Sequence, residues 1–166
     1  MAGERNHARS AASVEETKHL AAALAAHLRA GDAVVLNGGL GAGKTHFVQG
    51  VAEALGVTQP VTSPTFNILQ TYDVPGGGAN QACPMNAIHH FDLYRLEDAA
   101  ELDDIGYWEA LEGDAASFIE WGDKFPESMP DDYLEVSIVA GEDGVRTVSA
   151  AARGPRSAQL LDAWLS

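Results

Sequence analysis

Apolar and polar positions in the first third of the chain predict a helix, a strand and a second helix. Leucines recur four residues apart after a capping-box sequence that begins at Ser13. Residues 33–37 form a short, continuous apolar run, which is typical of a strand covered on both faces. Apolar residues then return at helical spacing over residues 47–55, and Gly56 ends that run. A buried strand between two helices indicates an α/β fold.

The rest of the chain predicts more strands and two further helices. Apolar residues near position 105 predict one short acidic helix that Gly113 ends, and Pro155 opens a last helix. Residues 75–80 are rich in glycine and predict a surface loop. The further strand candidates are residues 66–72, 87–93, 117–121, 133–139 and 145–151. This order of elements predicts a single small α/β domain with a mixed, mostly parallel sheet flanked by helices.

Length and composition narrow the class of protein. A chain of 166 residues suits one domain, since domains commonly have roughly 100–200 residues. We assign residues 13–166 to that domain and expect residues 1–12 to be a frayed N-terminus. The single cysteine, Cys83, cannot form an internal disulfide, which favours a reducing compartment. The sequence shows no transmembrane run or secretory leader, so we expect a cytoplasmic protein that does not contact a membrane.

Charge restricts the ligands that the surface can attract. Ten Lys and Arg residues against 24 Asp and Glu residues give a formal net charge of −14. Such a field repels nucleic acids and anionic lipids, which disfavours direct binding to either. The same surface permits a small phosphorylated ligand where backbone N–H groups and one or two cations meet.

Residues 38–45 predict a site for such a ligand. Their sequence, Gly-Gly-Leu-Gly-Ala-Gly-Lys-Thr, matches the pattern G-x-x-x-x-G-K-[ST] and lies between a predicted strand and a predicted helix. In this pattern the lysine, Lys44, contacts the β- and γ-phosphates, and the hydroxyl of Thr45 binds Mg²⁺. The residues predicted to cradle the phosphates with their backbone are Gly39, Leu40, Gly41, Ala42 and Gly43.

Two carboxylates at the ends of predicted strands complete the candidate site. Asp92 and Glu120 each follow a strand candidate, the position from which P-loop proteins supply an acid. Either acid can contact Mg²⁺ or its water, and the other can orient the attacking water or act as a base. His46, beside Thr45, can approach the ligand or lie exposed on the first helical turn. His89 and His90 are neighbours on one strand, so they point to opposite faces and are poorly placed to share a metal.

Small kinases, GTPases and ATPases that drive a partner protein share this loop. The sequence has no Asn-Lys-x-Asp segment for reading guanine, which disfavours GTP as the ligand. Between Lys44 and Arg146 the only cationic residues are Arg95 and Lys124, too few for the arginine-rich lid of a kinase. An ATPase that acts on a partner is therefore favoured. A small kinase and a nucleotide-gated interaction module with little turnover remain as alternatives.

A short polar segment after the second helix is a candidate switch. Ser63 and Thr65 flank Pro64 at a place where P-loop proteins often sense the γ-phosphate. A plain polar turn into the next strand is the other interpretation of this segment.

Four segments of the sequence, taken together, resemble one protein family. Residues 38–45, 63–66, 90–96 and 119–121 look like the bacterial TsaE family, formerly YjeE, the P-loop ATPases of tRNA threonylcarbamoyladenosine biosynthesis. The resemblance implies a small α/β ATPase that binds the TsaB and TsaD proteins. Those partners carry out the transfer of the threonylcarbamoyl group to tRNA. The modified base is the adenosine beside the anticodon in tRNAs that read codons beginning with adenine. A chain of net charge −14 would reach tRNA only indirectly, through that complex.

The resemblance also implies roles for particular residues. Lys44 would bind ATP, Thr45 and Glu120 would serve Mg²⁺, Asp92 would support the nucleotide and a metal-bound water, and Trp121 would lie beside the nucleotide. Lys44, Asp92 and Glu120 are thus the expected catalytic residues. Glu15 or Thr17 would approach the base of the bound nucleotide. The chain departs from the family in two places. His46 stands where a second threonine is common, and residues 75–87 form a longer stretch, which would alter a partner surface rather than the chemistry.

Overall fold

The computed structural model describes residues 7–39, 41–64, 67–78 and 85–165. Within them the strands are β1 (His7–Ala11), β2 (Ala33–Asn37), β3 (Leu69–Asp73), β4 (Ala87–Asp92), β5 (Ala115–Glu120), β6 (Leu134–Ala140) and β7 (Arg146–Ala152). The α-helices are α1 (Val14–Ala25), α2 (Lys44–Ala54), α3 (Ala100–Asp104), α4 (Tyr107–Glu112) and α5 (Pro155–Leu165). Short 3₁₀ turns cover Pro75–Gly77, Gly122–Lys124 and Pro126–Ser128. No helix among these residues is long and apolar enough to cross a bilayer.

The strands form one mixed sheet in the order β1-β7-β6-β2-β5-β4-β3. The inner strands β6, β2, β5 and β4 run parallel, whereas β7 and β1 at one edge and β3 at the other pair antiparallel. Strand β2 is central, and its apolar run is buried, as the sequence predicts, because its side chains enter an apolar cluster on each face of the sheet. The predicted α/β domain with a mixed sheet between helices is confirmed.

Helices cover both faces of the sheet and create two apolar clusters. On one face, α1, α2 and α5 bury residues such as Leu24, Phe47 and Leu160 against the strands. On the other face, α3 and α4 contribute Leu102 and Tyr107 to a smaller cluster. The predicted cap of α1 is present, since the Ser13 side chain accepts a hydrogen bond from the Glu16 backbone N–H at 3.1 Å.

The expectation of a frayed N-terminus is wrong for His7–Ala11, which form β1. This strand pairs with β7, from His7 opposite Ala150 to Ala11 opposite Arg146. Only Ala11 of the five residues is buried, so the strand carries no apolar alternation that a sequence pattern could reveal. Backbone hydrogen bonds to an edge of the sheet order it instead. The boundary of the domain at residue 13 stays a prediction, and residues 1–6 lie outside the described ranges.

Two further elements differ from their predicted form. The single acidic helix is two short helices, α3 and α4, because Gly106 adopts a left-handed φ of 73° between them. Trp108 is 40% exposed, while its neighbour Tyr107 is buried. Strand β3 begins only at Leu69, since Ile68 has a φ of 67° that a strand cannot continue. Phe66 and Cys83 lie outside the described residues.

Candidate functional site

The glycine-rich loop joins the end of β2 to the start of α2. Gly41 and Gly43 have φ values of 77° and 114°, a left-handed region that other residues rarely adopt. At Gly38 a Cβ atom would lie 2.7 Å from the carbonyl oxygen of Ile138, so only glycine fits beside β6. Helix α2 follows directly, with the Phe47 N–H donating to the Gly43 carbonyl oxygen at 2.9 Å. The loop therefore leads into the N-terminus of α2. Backbone N–H groups at a helix N-terminus lack intrahelical partners and favour the binding of anions.

Lys44 is nearly buried, with 6% of its surface exposed. Its ammonium Nζ donates to the Gly38 carbonyl oxygen at 2.8 Å and lies 3.6 Å from Oε1 of Glu120. It also lies 4.3 Å from the centre of the Trp121 ring, within the range of a cation–π interaction. These three contacts hold the charge of Lys44 over the loop.

Asp92 and Glu120 are directly opposite each other at the ends of β4 and β5. The two strands are parallel, so their carboxyl ends meet at the same edge of the sheet as the loop after β2. Oδ1 of Asp92 accepts from the Tyr94 backbone N–H at 3.0 Å, and Oδ2 accepts from the Ser63 hydroxyl at 3.4 Å. Both acids are about as buried as Lys44, at 5% and 3% exposure.

The two histidines of β4 lie on opposite faces, as the sequence predicts. His90 is fully buried, and its Nε2 lies 2.5 Å from Oε2 of Glu120. Nδ1 of His89 lies 2.9 Å from the hydroxyl oxygen of Thr71, across the antiparallel pair with β3. Burial lowers the pKa of His89, although the charge of Asp114 acts in the opposite direction.

Aromatic side chains form the outer wall of the site. Trp121 follows β5 with a left-handed φ of 62°, and its ring packs against the half-exposed ring of Tyr94 at 5.0 Å between centres. Lys124 donates to the carbonyl oxygens of Tyr94 and Leu96, at 2.5 and 2.8 Å. This lysine thereby ties the segment after β4 to the segment after β5.

These groups surround a cavity of about 330 Å³, which is within the size range of small-ligand sites. Its lining residues come from the loop, from α2 and from the ends of the neighbouring strands. They are Gly41, Ala42, Gly43, Lys44, Thr45, His46, Ser63, Asp92, Tyr94, Glu120 and Trp121.

Most of the residues chosen from the sequence therefore meet at one place, although their roles stay predictions. His46 lines the cavity, and Ser63 reaches Asp92. Gly39 and the base-contact candidates Glu15 and Thr17 are not among the lining residues that the structure describes. Leu40, assigned to the glycine-rich loop (the phosphate loop, residues 38–45), lies outside the described residues. Thr65, assigned to the switch segment, also lies outside them.

Arg146 is a neighbour of the loop that sequence reasoning missed. Its guanidinium donates from Nε to the Ala42 carbonyl oxygen at 2.7 Å and from Nη2 to that of Gly41 at 3.2 Å. Arg146 begins β7, about a hundred residues after the loop, and nothing in the local sequence links the two. Only the antiparallel pairing of β7 with β6, beside β2, brings them together.

The oxygen donors of the site suit a magnesium ion that arrives with a nucleotide. Mg²⁺ usually takes one or two carboxylates, with the remaining positions filled by phosphate and water. Asp92, Glu120 and the hydroxyl of Thr45 line the same cavity. Among the described residues there is no cluster of three or more His, Cys, Asp or Glu side chains that could hold a metal ion by itself. The donor set thus fits a metal shared with phosphates.

A buried parallel strand, a glycine-rich loop, a helix headed by Lys44 and Thr45, and acids on neighbouring strands define the class of P-loop NTPases. Comparisons with known proteins narrow this class. A sequence model described as "Threonylcarbamoyl adenosine biosynthesis protein TsaE" matches residues 11–148. The chain belongs to the TsaE family.

Individual relatives match over most of their length. The tRNA threonylcarbamoyladenosine biosynthesis protein TsaE of Bacillus subtilis is 37% identical over 148 residues, which cover 89% of this chain and 87% of that protein. The protein of the same name from Treponema pallidum is 33% identical over 84% of this chain and 96% of its own. The crystal structure of Bacillus subtilis YdiB superposes with a TM-score of 0.79 at 30% identity, covering 98% of this chain and 95% of that one.

Proposed function

We propose that this protein is a magnesium-dependent ATPase that acts in threonylcarbamoyladenosine modification of tRNA. The observation that carries the proposal is the position of Lys44, held over the phosphate loop between the Gly38 carbonyl oxygen and Glu120. Membership of the TsaE family supports the pathway. We place the activity in the cytoplasm, in line with the single cysteine.

The geometry supports separate roles for the residues around a bound ATP. The loop N–H groups and the Lys44 ammonium would bind the β- and γ-phosphates and offset the charge that develops on them during transfer. Thr45, Asp92 and Glu120 would hold Mg²⁺, which supplies positive charge on the phosphate oxygens when bound. Asp92 or Glu120 would orient the attacking water. Trp121 and Tyr94 would shield one side of the site from solvent.

The proposed partners are the TsaB and TsaD proteins, which would perform the transfer. A surface of net charge −14 repels tRNA, so contact with the nucleic acid would pass through this complex. The nucleotide cycle would then act on the partners through segments that touch the cavity, such as the one that carries Ser63.

The proposal is tested by steady-state ATP hydrolysis with Mg²⁺, first for the protein alone and then with purified TsaB and TsaD. We expect slow turnover alone and clear stimulation by the pair. Lys44→Ala should lose nucleotide binding, because the lysine supplies a buried charge-assisted contact. Lys18→Ala is the matched control, since Lys18 pairs with Glu53 on the outer surface of the helices. Absence of hydrolysis above the Lys44→Ala blank, with and without the pair, would contradict the proposal.

A second variant separates catalysis from binding. Glu120→Ala should reduce hydrolysis by about 100-fold or more while it changes ADP affinity much less, since Glu120 is assigned to the metal and the water. An equal fall in affinity and turnover would contradict that role. Detection of a phosphorylated small molecule would instead favour a kinase. Tight ATP binding with no turnover in any combination would favour a nucleotide-gated interaction module.

A further inference from the structure

His90 is a buried polar residue that the proposed hydrolysis does not use. Its side chain is fully buried, on the face of the sheet that carries Asp92 and Glu120. Its strand neighbours Ile88 and Phe118 belong to the main apolar cluster. An apolar side chain would suit this position better, because burial of a polar ring costs free energy unless both nitrogens are paired.

The imidazole is paired at only one nitrogen. Nε2 lies 2.5 Å from Oε2 of Glu120, whereas Nδ1 is buried and has no hydrogen-bond partner among the described residues. A buried polar atom without a partner in a folded protein calls for an explanation, and function is one. The presence of His90 in the core, despite its unpaired Nδ1, is explained if the contact between Nε2 and Glu120 is needed for function.

That contact determines how Glu120 presents its carboxylate. Oε2 meets His90, and Oε1 therefore faces the cavity, 3.6 Å from the Lys44 ammonium. A glutamate side chain has three rotatable torsions, and a fixed partner at one oxygen removes much of that freedom. The orientation of Oε1 toward the loop thus depends on a group that does not itself reach the cavity lining.

We propose that His90 is a positioning residue, which donates from Nε2–H to Oε2 of Glu120 and so aims Oε1 at the nucleotide site. The inference rests on the proposed ATPase function and deepens it. His90 touches neither phosphate nor metal, and its effect on hydrolysis passes through Glu120. Because ionised carboxylates are acceptors only, the proposal also requires the proton of the ring to sit on Nε2.

Two replacements of His90 separate a positioning role from a structural one. His90→Gln keeps a donor that can occupy the place of Nε2, whereas His90→Leu keeps volume but removes the donor. We expect His90→Leu to lower kcat by about 10-fold or more, with KM for ATP and Kd for ADP changed less than about 3-fold. His90→Gln should recover most of kcat. His89→Leu is the matched control on the opposite face of the same strand, and it should hydrolyse ATP as the natural protein does.

Other results would overturn the inference. Unchanged kcat in His90→Leu, or equal losses in the Leu and Gln variants, would show that the donor is not needed. A loss of ADP affinity as large as the loss of kcat would indicate disruption of the whole site.

A second measurement does not depend on ATPase activity. Long-range nitrogen–proton NMR of the natural protein, with His90→Gln used for assignment, reports which ring nitrogen carries the proton. We expect a slowly exchanging Nε2–H for His90, and an Nδ1–H tautomer would overturn the proposal. If the natural protein hydrolyses no more ATP than Lys44→Ala, the ATPase proposal fails by itself, and the NMR result still decides whether His90 donates to Glu120.

Discussion

Arg146 donates from Nε to the carbonyl oxygen of Ala42 at 2.7 Å, and thereby joins the start of β7 to the phosphate loop. A second bond from Nη2 reaches the neighbouring Gly41 carbonyl oxygen. The guanidinium thus supports two successive peptide units of the loop and places a positive charge beside the proposed phosphate site. Bonds from a charged donor to a carbonyl are stronger than those between neutral groups.

Replacement of Arg146 should therefore weaken nucleotide binding more than it weakens the fold. For Arg146→Met we expect Kd for ADP, measured by calorimetry, to rise by about 3- to 10-fold, as loss of charge-assisted bonds predicts. Arg153→Met is the matched control, since Arg153 follows the other end of β7 and pairs with Glu135. Equal affinities for the two variants would contradict a role for Arg146 in the loop.

Trp121 should report nucleotide binding by its fluorescence. Its ring lies 4.3 Å from Lys44 Nζ, and it lines the cavity, so a phosphate that draws the ammonium away changes the surroundings of the indole. We expect ADP to change the tryptophan emission of the natural protein and of Trp108→Phe, because Trp108 lies outside the cavity lining. Trp121→Phe should lose this response. A response that persists in Trp121→Phe would place the sensitive indole elsewhere.

The contact between α1 and α2 is close at Gly50. A Cβ atom there would lie 2.5 Å from the Lys18 carbonyl oxygen and 2.9 Å from the Ala21 Cβ, so the helices would have to separate. We expect Gly50→Ala to reduce the free energy of unfolding by about 1–3 kcal/mol, despite the better helix propensity of alanine. Urea denaturation measures this loss.

An exposed position of the same helix provides the comparison. Glu53→Ala removes only the surface pair with Lys18 and should change the free energy of unfolding by about 1 kcal/mol or less. A Gly50→Ala protein as stable as the natural one would show that the two helices can move apart freely.

Asp132 caps the last helix and links its stability to pH. Its carboxylate accepts from the backbone N–H groups of Arg156 and Ser157, at 2.7 and 3.0 Å. Burial alone would raise the pKa of Asp132, but the hydrogen bonds from Ser157 and Arg156 and the charge of Arg156 outweigh it and lower the pKa below 3.8. The stabilising contribution is therefore complete above pH 3.8 and is lost as the pH falls through the lower pKa of the folded state.

We expect Asp132→Ala to reduce the free energy of unfolding by about 1 kcal/mol at neutral pH, the usual effect of losing a helix cap. The difference from the natural protein should shrink below pH 3.8. Chemical denaturation at a series of pH values measures both effects. Asp131→Ala, at an exposed neighbouring position, should show neither. A deficit that stays constant into acid would show that the charge of Asp132 does not matter.

The order of elements and the loop were predictable because their causes are local. The capping sequence at Ser13, the apolar run of β2 and the glycine-rich pattern before Lys44 each act within a few residues. Glycine is needed at position 43 because the backbone φ there is left-handed. The spacing of apolar residues along a helix follows from the burial of one of its faces. The position of Asp92 and Glu120 at strand ends was also predictable, because parallel strands present their carboxyl ends together.

Contacts between distant segments depended on the tertiary structure. Strand β1 is ordered by pairing with β7, although its own residues have no apolar alternation. Arg146 reaches the loop only through the β6–β7 hairpin, and His90 meets Glu120 only because β4 and β5 are neighbours. The sequence by itself determined which residues are the candidates for the chemistry, since that choice depends on side-chain type and local spacing. The tertiary structure decided which groups support them, because hydrogen bonds between separate strands depend on register and sheet order, which no local pattern encodes.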